Sequence, residues 1–220
     1  MTSYYCTAIA TILDLAQHLY RRGSMLNERY LHHAFSHRLQ ARGDLLGLTD
    51  GPQAPLLHPE WPTRKKSTGI NGGLYRRIDK CYHPCDDGGP GWIDFALGDY
   101  HRPSVGIEFT MLPSHSSEAI TYDLVKLLDS RNPFSAVISW NVIVTGPPLK
   151  GTQIAKMAPL LSASGAEAQK RLGQWYCGDG RQRLFLLTAL DAQQQRQHWH
   201  CTSPDGVWMA GLPATGSARA

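Results

Sequence analysis

A chain of 220 residues, 42% of them hydrophobic, can bury one sizeable core and is too short for two full domains. Its formal charge of +4 and pI near 8.8 permit a polyanionic partner without imposing one, since a strong nucleic-acid footprint begins at a pI of about 9. Five cysteines, an odd number spread along the chain, argue against the disulfide framework of a small secreted module and point to a reducing cytoplasm.

The apolar stretch from Tyr4 to Leu15 lacks a basic leader and carries Asp14. No apolar run reaches the roughly 20 residues of a membrane-spanning helix. The expectation is a soluble, unprocessed, cytoplasmic protein with no membrane partner. One domain is expected over residues 1–210, with 211–220 a flexible tail.

Ile9, Ile12, Leu13, Ala16 and Leu19 recur at helical spacing and predict a helix over about 4–22. A second helix follows, with Asn27 as N-cap, Leu31, Ala34, Phe35 and Leu39 as its core face, and Gly43 as its stop. From Gly43 to Gly73 the chain is rich in Pro and Gly and reads as a long loop bearing Arg64-Lys65-Lys66. Three strands are predicted next, at Leu74 to Tyr82, Trp92 to Leu97 and Val105 to Leu112, connected as hairpins. Ile120, Leu124, Leu127 and Leu128 mark a helix running to about Asp129, and a β-rich run spans Phe134 to Val144. A long helix is expected over about 153–172, with Pro159 a candidate break, and a last strand over Arg183 to Leu190. The order is α-α-β-β-β-α-β-α-β, and the segment beyond Asp191 reads as peripheral.

Two strands carry an acid inside an apolar run: Asp94 in Trp92 to Leu97, and Glu108 in Val105 to Met111. Alternation puts Val105, Ile107, Phe109 and Met111 on one face and Glu108 and Thr110 on the other. A single strand acid ordinarily faces water, but two on successive strands predict convergence. Converging carboxylates repel one another unless a cation occupies the gap. A hard divalent ion suits oxygen ligands, neutralises phosphate charge and lowers the pKa of a bound water. Glu28 falls on the apolar stripe of the second helix, where it either binds in the same site or stands solvated in the first turn.

A helix with an acid, a strand pair bearing Ile93-Asp94 and Ile107-Glu108-Phe109-Thr110, then a helix and a further strand, resembles the PD-(D/E)XK nuclease superfamily over roughly 27–144. That resemblance implies an α/β fold of restriction-endonuclease-like type, with an α-β-β-β-α-β core and a mixed central sheet flanked by helices. It implies a nuclease using Mg2+ or Mn2+, with Asp94 and Glu108 as metal ligands, Glu28 as the helix acid, and nucleic acid as partner, DNA ahead of RNA. Ile93 stands where that family usually has Pro, and Thr110 stands where it has the catalytic lysine. Lys126 on the next helix is the replacement the family precedent suggests, although the helical wheel turns it away from the apolar stripe towards solvent. Lys80 is the second fallback.

Arg64, Lys65 and Lys66, with Arg76 and Arg77 nearby, are candidate phosphate contacts, and a charge run in a loop is otherwise a solvated surface. Cys81 and Cys85 together with His198, His200 and Cys201 offer zinc-type ligands at irregular spacing, for which free thiols and surface histidines are the simpler reading. His32, His33 and His37 read as surface or interface residues. The missing strand lysine leaves a second reading, a non-catalytic nucleic-acid-binding or scaffolding subunit of the same fold, and a partner protein is expected to supply targeting.

Overall fold

Along the chain, α1 (Ser3–His18) and α2 (Glu28–Ala41) come first, then β1 (Leu57–Pro62), β2 (Leu74–Ile78), β3 (Cys81–Cys85), β4 (Gly89–Pro90), β5 (Trp92–Gly98) and β6 (Pro103–Leu112). Beyond them come α3 (Ser117–Leu128), β7 (Ala136–Val144), α4 (Gly151–Leu172), β8 (Gln182–Leu190), β9 (Arg196–Cys201) and β10 (Met209–Ala210). The computed structural model describes residues 3–19, 26–42, 57–63, 72–99, 101–112, 117–144, 151–191 and 195–213, with no side-chain description for residue 3 or 151–156. The predicted stop at Gly43 and the end of the tail lie outside these residues.

A seven-stranded mixed sheet has the order β1-β5-β6-β7-β8-β9-β10. The strands β5 and β6 pair antiparallel, β6 to β8 run parallel, and α3 and α4 are the two crossovers. The parallel strands are covered on both faces, which explains their almost continuous apolar sequence. On one face Leu31, Phe35 and Leu39 of α2 meet Phe95, Ile107, Phe109 and Trp140, with α1 beside them. On the other, Leu124 and Leu128 of α3 and Leu161 of α4 meet Val137 and Phe185. The Asn27 cap is present, its side chain accepting from Tyr30 N at 2.8 Å.

Several expectations are corrected. The stretch read as loop from Gly43 to Gly73 contains β1, an edge strand antiparallel to β5. Its Pro59 and Pro62 mask the strand signal, although prolines are tolerated on an edge. The predicted single strand Leu74 to Tyr82 is a hairpin, β2 and β3, turned at Asp79-Lys80, and it belongs to a separate three-stranded sheet of order β3-β2-β4. Asp79 and Lys80 have φ of 48° and 70°, the left-handed conformation of a two-residue hairpin turn that glycine or asparagine usually signals. Pro159 lies inside α4 without ending it, because packing against α3 outweighs the helix penalty of about 3 kcal/mol. The segment beyond Asp191 is not peripheral: β9 pairs with β8 along six residues.

No helix among the described residues is long and apolar enough to cross a membrane.

Candidate active site

The pairing of β5 with β6 ends at Phe95↔Ile107, one residue short of Asp94 and Glu108. Side-chain alternation also breaks there, since Ile93 joins the core under α3 whereas Phe95, two residues on, joins the core under α2. Asp94 uses its carboxylate in place of the ladder, and Oδ2 accepts from Phe109 N at 2.7 Å. The strands therefore part at the two acids. A cleft of about 600 Å³ opens at this point between the start of α2, the outer half of α3 and the β2–β3 hairpin.

Glu28, Asp94, Glu108 and Asp123 line it, together with Lys126, Tyr82 and Tyr122. Glu108 is 1% exposed and Lys126 is 5% exposed. The Lys126 ammonium lies 2.6 Å from Glu108 Oε1 and 3.0 Å from Asp123 Oδ1, and donates to Trp92 O at 2.7 Å. It also sits 5.1 Å from the centre of the Tyr122 ring. Thr110 Oγ1 donates to Asp123 Oδ2 at 3.3 Å. The structure thus gathers Asp94, Glu108, Thr110 and Lys126 around one site, with Glu28 at its rim as the first residue of α2.

The solvent-facing orientation expected of Lys126 is corrected. Residues Ile120, Thr121, Leu124, Val125, Lys126, Leu127 and Leu128 are all buried, so the second half of α3 is enclosed around most of its circumference. A wheel drawn for one apolar stripe cannot represent such a helix. His32 is likewise no surface residue: it is half-buried, its ring edge-on to Phe95 and its Nε2 3.4 Å from Asp94 Oδ2. His33 and His37 are exposed, as expected.

Arg76 is exposed and faces away from the cleft, paired with Asp87 at 2.6 Å. Its neighbour Arg77, on the opposite side of β2, lines the cleft in its place, as does Lys80. Arg64, Lys65 and Lys66 lie outside the described residues. The five cysteines are free thiols. Among the described residues no three His, Cys, Asp or Glu side chains stand at metal-ligand spacing. His198 instead contacts Thr188 and His200 contacts Gly211 O.

Asp123 was not among the residues singled out by sequence, and His32 was read only as a surface or interface residue. A signal for Asp123 existed, because it stands three residues before Lys126 and so shares its helix face.

The electrostatics follow from burial opposed by one cation. Burial pushes Glu108 well above the usual carboxyl range, Lys126 pulls it down, and Asp94 and Asp123 add to the rise. Asp123 is raised for the same first reason. For Lys126, burial favours the neutral amine, but Asp123 and Glu108 outweigh it and raise the group further, so it stays charged. For Asp94, burial is outweighed by His32 and the Phe109 N–H, which hold it below its ordinary value. Burial would lower His32 as well, and its bond with Asp94 raises it instead.

A test on stability follows. Glu108 binds its proton more tightly folded than unfolded, so it contributes stability fully below about pH 4.3 that is lost as pH rises through its folded value. Glu108→Gln removes that loss and leaves Lys126 paired with Asp123. Its unfolding midpoint relative to wild type should therefore improve as pH rises above about 4.3. A decrease in chemical-denaturation midpoint that is absent at acid pH and grows as pH rises would show instead that the Glu108 charge is needed by the fold.

Comparison with protein-family models, curated proteins and solved structures returned no match.

Proposed function

We propose that the chain is a divalent-metal-dependent nuclease of restriction-endonuclease-like fold, with Asp94 and Glu108 as its metal ligands. The observation that carries this reading is the convergence of Asp94, Glu108 and Lys126 in one cleft where two sheet strands part. The order α2, β1, β5, β6, α3, β7 supports the α-β-β-β-α-β core, with β1 rather than β2 as its first strand.

The cleft fits a hard cation. Among its lining residues the five acids Glu28, Asp94, Glu108, Glu118 and Asp123 outnumber the bases Arg77, Lys80 and Lys126, with Arg171 2.7 Å from Glu118 and His32 3.4 Å from Asp94 as further partners from outside the cleft. Burial first, and the neighbouring acids second, raise Glu108 and Asp123, and bound positive charge would oppose both. Asp94 and Glu108 would hold Mg2+ or Mn2+, with Glu28 assisting. When bound, the ion supplies a water of lowered pKa and neutralises phosphate charge.

The protein's own groups do the rest. Lys126 remains protonated, so it acts as a fixed cation stabilising charge on a phosphate oxygen and does not accept a proton. Asp123 and Trp92 O hold its ammonium in place, and Thr110 orients Asp123. His32 fixes the Asp94 carboxylate from the α2 side.

A second reading, a nucleic-acid-binding subunit without activity, is favoured by the engagement of Lys126 with two carboxylates and a carbonyl. Incubation with plasmid DNA and structured RNA in Mg2+, Mn2+ or chelator separates the two. Nicking that requires metal supports the nuclease, and binding without cutting under every condition supports the subunit.

A further inference from the structure

The β2–β3 hairpin forms one wall of the cleft, and its architecture points to a substrate class. Its register pairs Arg77 with Tyr82 directly across the two strands, so both project on the same face, while Arg76 and its partner His83 project on the other. Arg77, Lys80 and Tyr82 all line the cleft. The Tyr82 ring stacks on Tyr122 at 4.0 Å and 16°, and the exposed Arg77 guanidinium lies 5.8 Å from its centre. One face of Tyr82 is thus taken by Tyr122, and Arg77 lies loosely over the ring.

The platform is held rigidly. Tyr82 N donates to Glu118 Oε1 at 2.8 Å, Arg171 donates to both Glu118 and Tyr82 O, and Arg131 ties Leu74 O and Cys85 O to the buried Asp129. At the tip, Lys80 holds a left-handed conformation that costs an L-residue roughly 1 kcal/mol or more, and its side chain is exposed. Glycine would serve that turn better as structure. A lysine there puts a cation at the rim beside Arg77.

We propose, building on the nuclease reading, that the cleft takes single-stranded nucleic acid, with phosphates along Arg77 and Lys80 and an unpaired base stacked on Tyr82. Two observations favour a single strand over a duplex. The acids lie at the bottom of a cleft of about 600 Å³, a space suited to a nucleotide-sized group and not to a double helix. An aromatic wall with arginine above it is the surface on which unpaired bases stack, and a base held in a duplex cannot reach it. Arg77 would swing from the Tyr82 face to a phosphate as the base enters.

The test is fluorescence anisotropy in chelator, where no cutting occurs, with a labelled single-stranded oligonucleotide and a blunt hairpin duplex of the same composition. Wild-type protein should bind the single strand about tenfold or more tightly than the duplex, the scale of one stacked base. Lys80→Gly should weaken that binding several-fold while the unfolding midpoint stays level or rises, a combination that a purely structural turn would not give. Arg77→Ala should lower the slope of log affinity against log salt by about 0.7, the loss of one single-strand phosphate contact. Tyr82→Leu should lose about tenfold in affinity, and Arg77 and Lys80, being exposed, keep the test open if that variant misfolds. Equal or tighter binding of the duplex, no binding of either probe, or affinities unchanged in Arg77→Ala and Lys80→Gly would overturn the proposal. Single-strand binding with no cleavage in Mg2+ would sink the nuclease reading alone.

Discussion

Lys126→Met is expected to cost about 3 to 5 kcal/mol of stability at neutral pH and about 10²-fold in cleavage rate. The two losses have one origin. In the wild type a single ammonium sits within 3.0 Å of both Glu108 and Asp123, and its removal leaves two enclosed carboxylates with no cation between them. Both already stand above the usual carboxyl range through burial, and both will rise further without Lys126. Their raised folded values mean that the variant keeps most of its stability at acid pH and loses it as pH rises through them. Urea denaturation of Lys126→Met at acid and neutral pH measures this directly, and an equal midpoint shift at both would show that the lysine contributes packing only. Adding Thr110→Lys to Lys126→Met returns an ammonium to the Glu108 face from the strand. Partial recovery of both stability and rate is expected, because Thr110 already touches Asp123.

The second large effect is on metal-dependent chemistry. Asp94→Asn and Glu108→Gln should each lower cleavage by about 10³-fold or more, since stabilisation by a bound divalent ion is worth several kcal/mol and each 1.4 kcal/mol is tenfold. The fold should survive both changes. Asn retains an oxygen for the Phe109 N–H, and Gln retains one for Lys126 while reducing the repulsion among the acids. Circular dichroism together with initial cleavage rates separates the effects. A variant that is unfolded, or folded with wild-type rate, would remove its residue from the metal site.

Particular residues explain how much of this was legible beforehand. Asp94 and Glu108 stood out because an acid interrupts an apolar strand in each case and the two strands are successive, whereas the break in alternation between Ile93 and Phe95 had no signal in the sequence. The helices α2 and α3 were likewise readable from Leu31, Phe35 and Leu39 and from Ile120, Leu124 and Leu128. Lys126 was not, because its burial depends on the closeness of β5, whose Trp92 carbonyl binds it, and on the β2–β3 hairpin covering the outer side of α3. Neither neighbour is local in sequence. The hairpin was hidden because Asp79-Lys80 supplies a left-handed turn without glycine, and β1 because prolines interrupt it. His32 gave no local signal, since its partner Asp94 lies sixty-two positions away and on another element.

Calorimetric titration of Mn2+ into the wild-type protein and into Asp94→Asn tests most directly whether the parted strands carry a metal site. Saturable binding at a site of the wild type that is lost in the folded Asp94→Asn variant is the predicted result. Equal uptake by the two proteins, or none by the wild type with nucleic acid present, would contradict it.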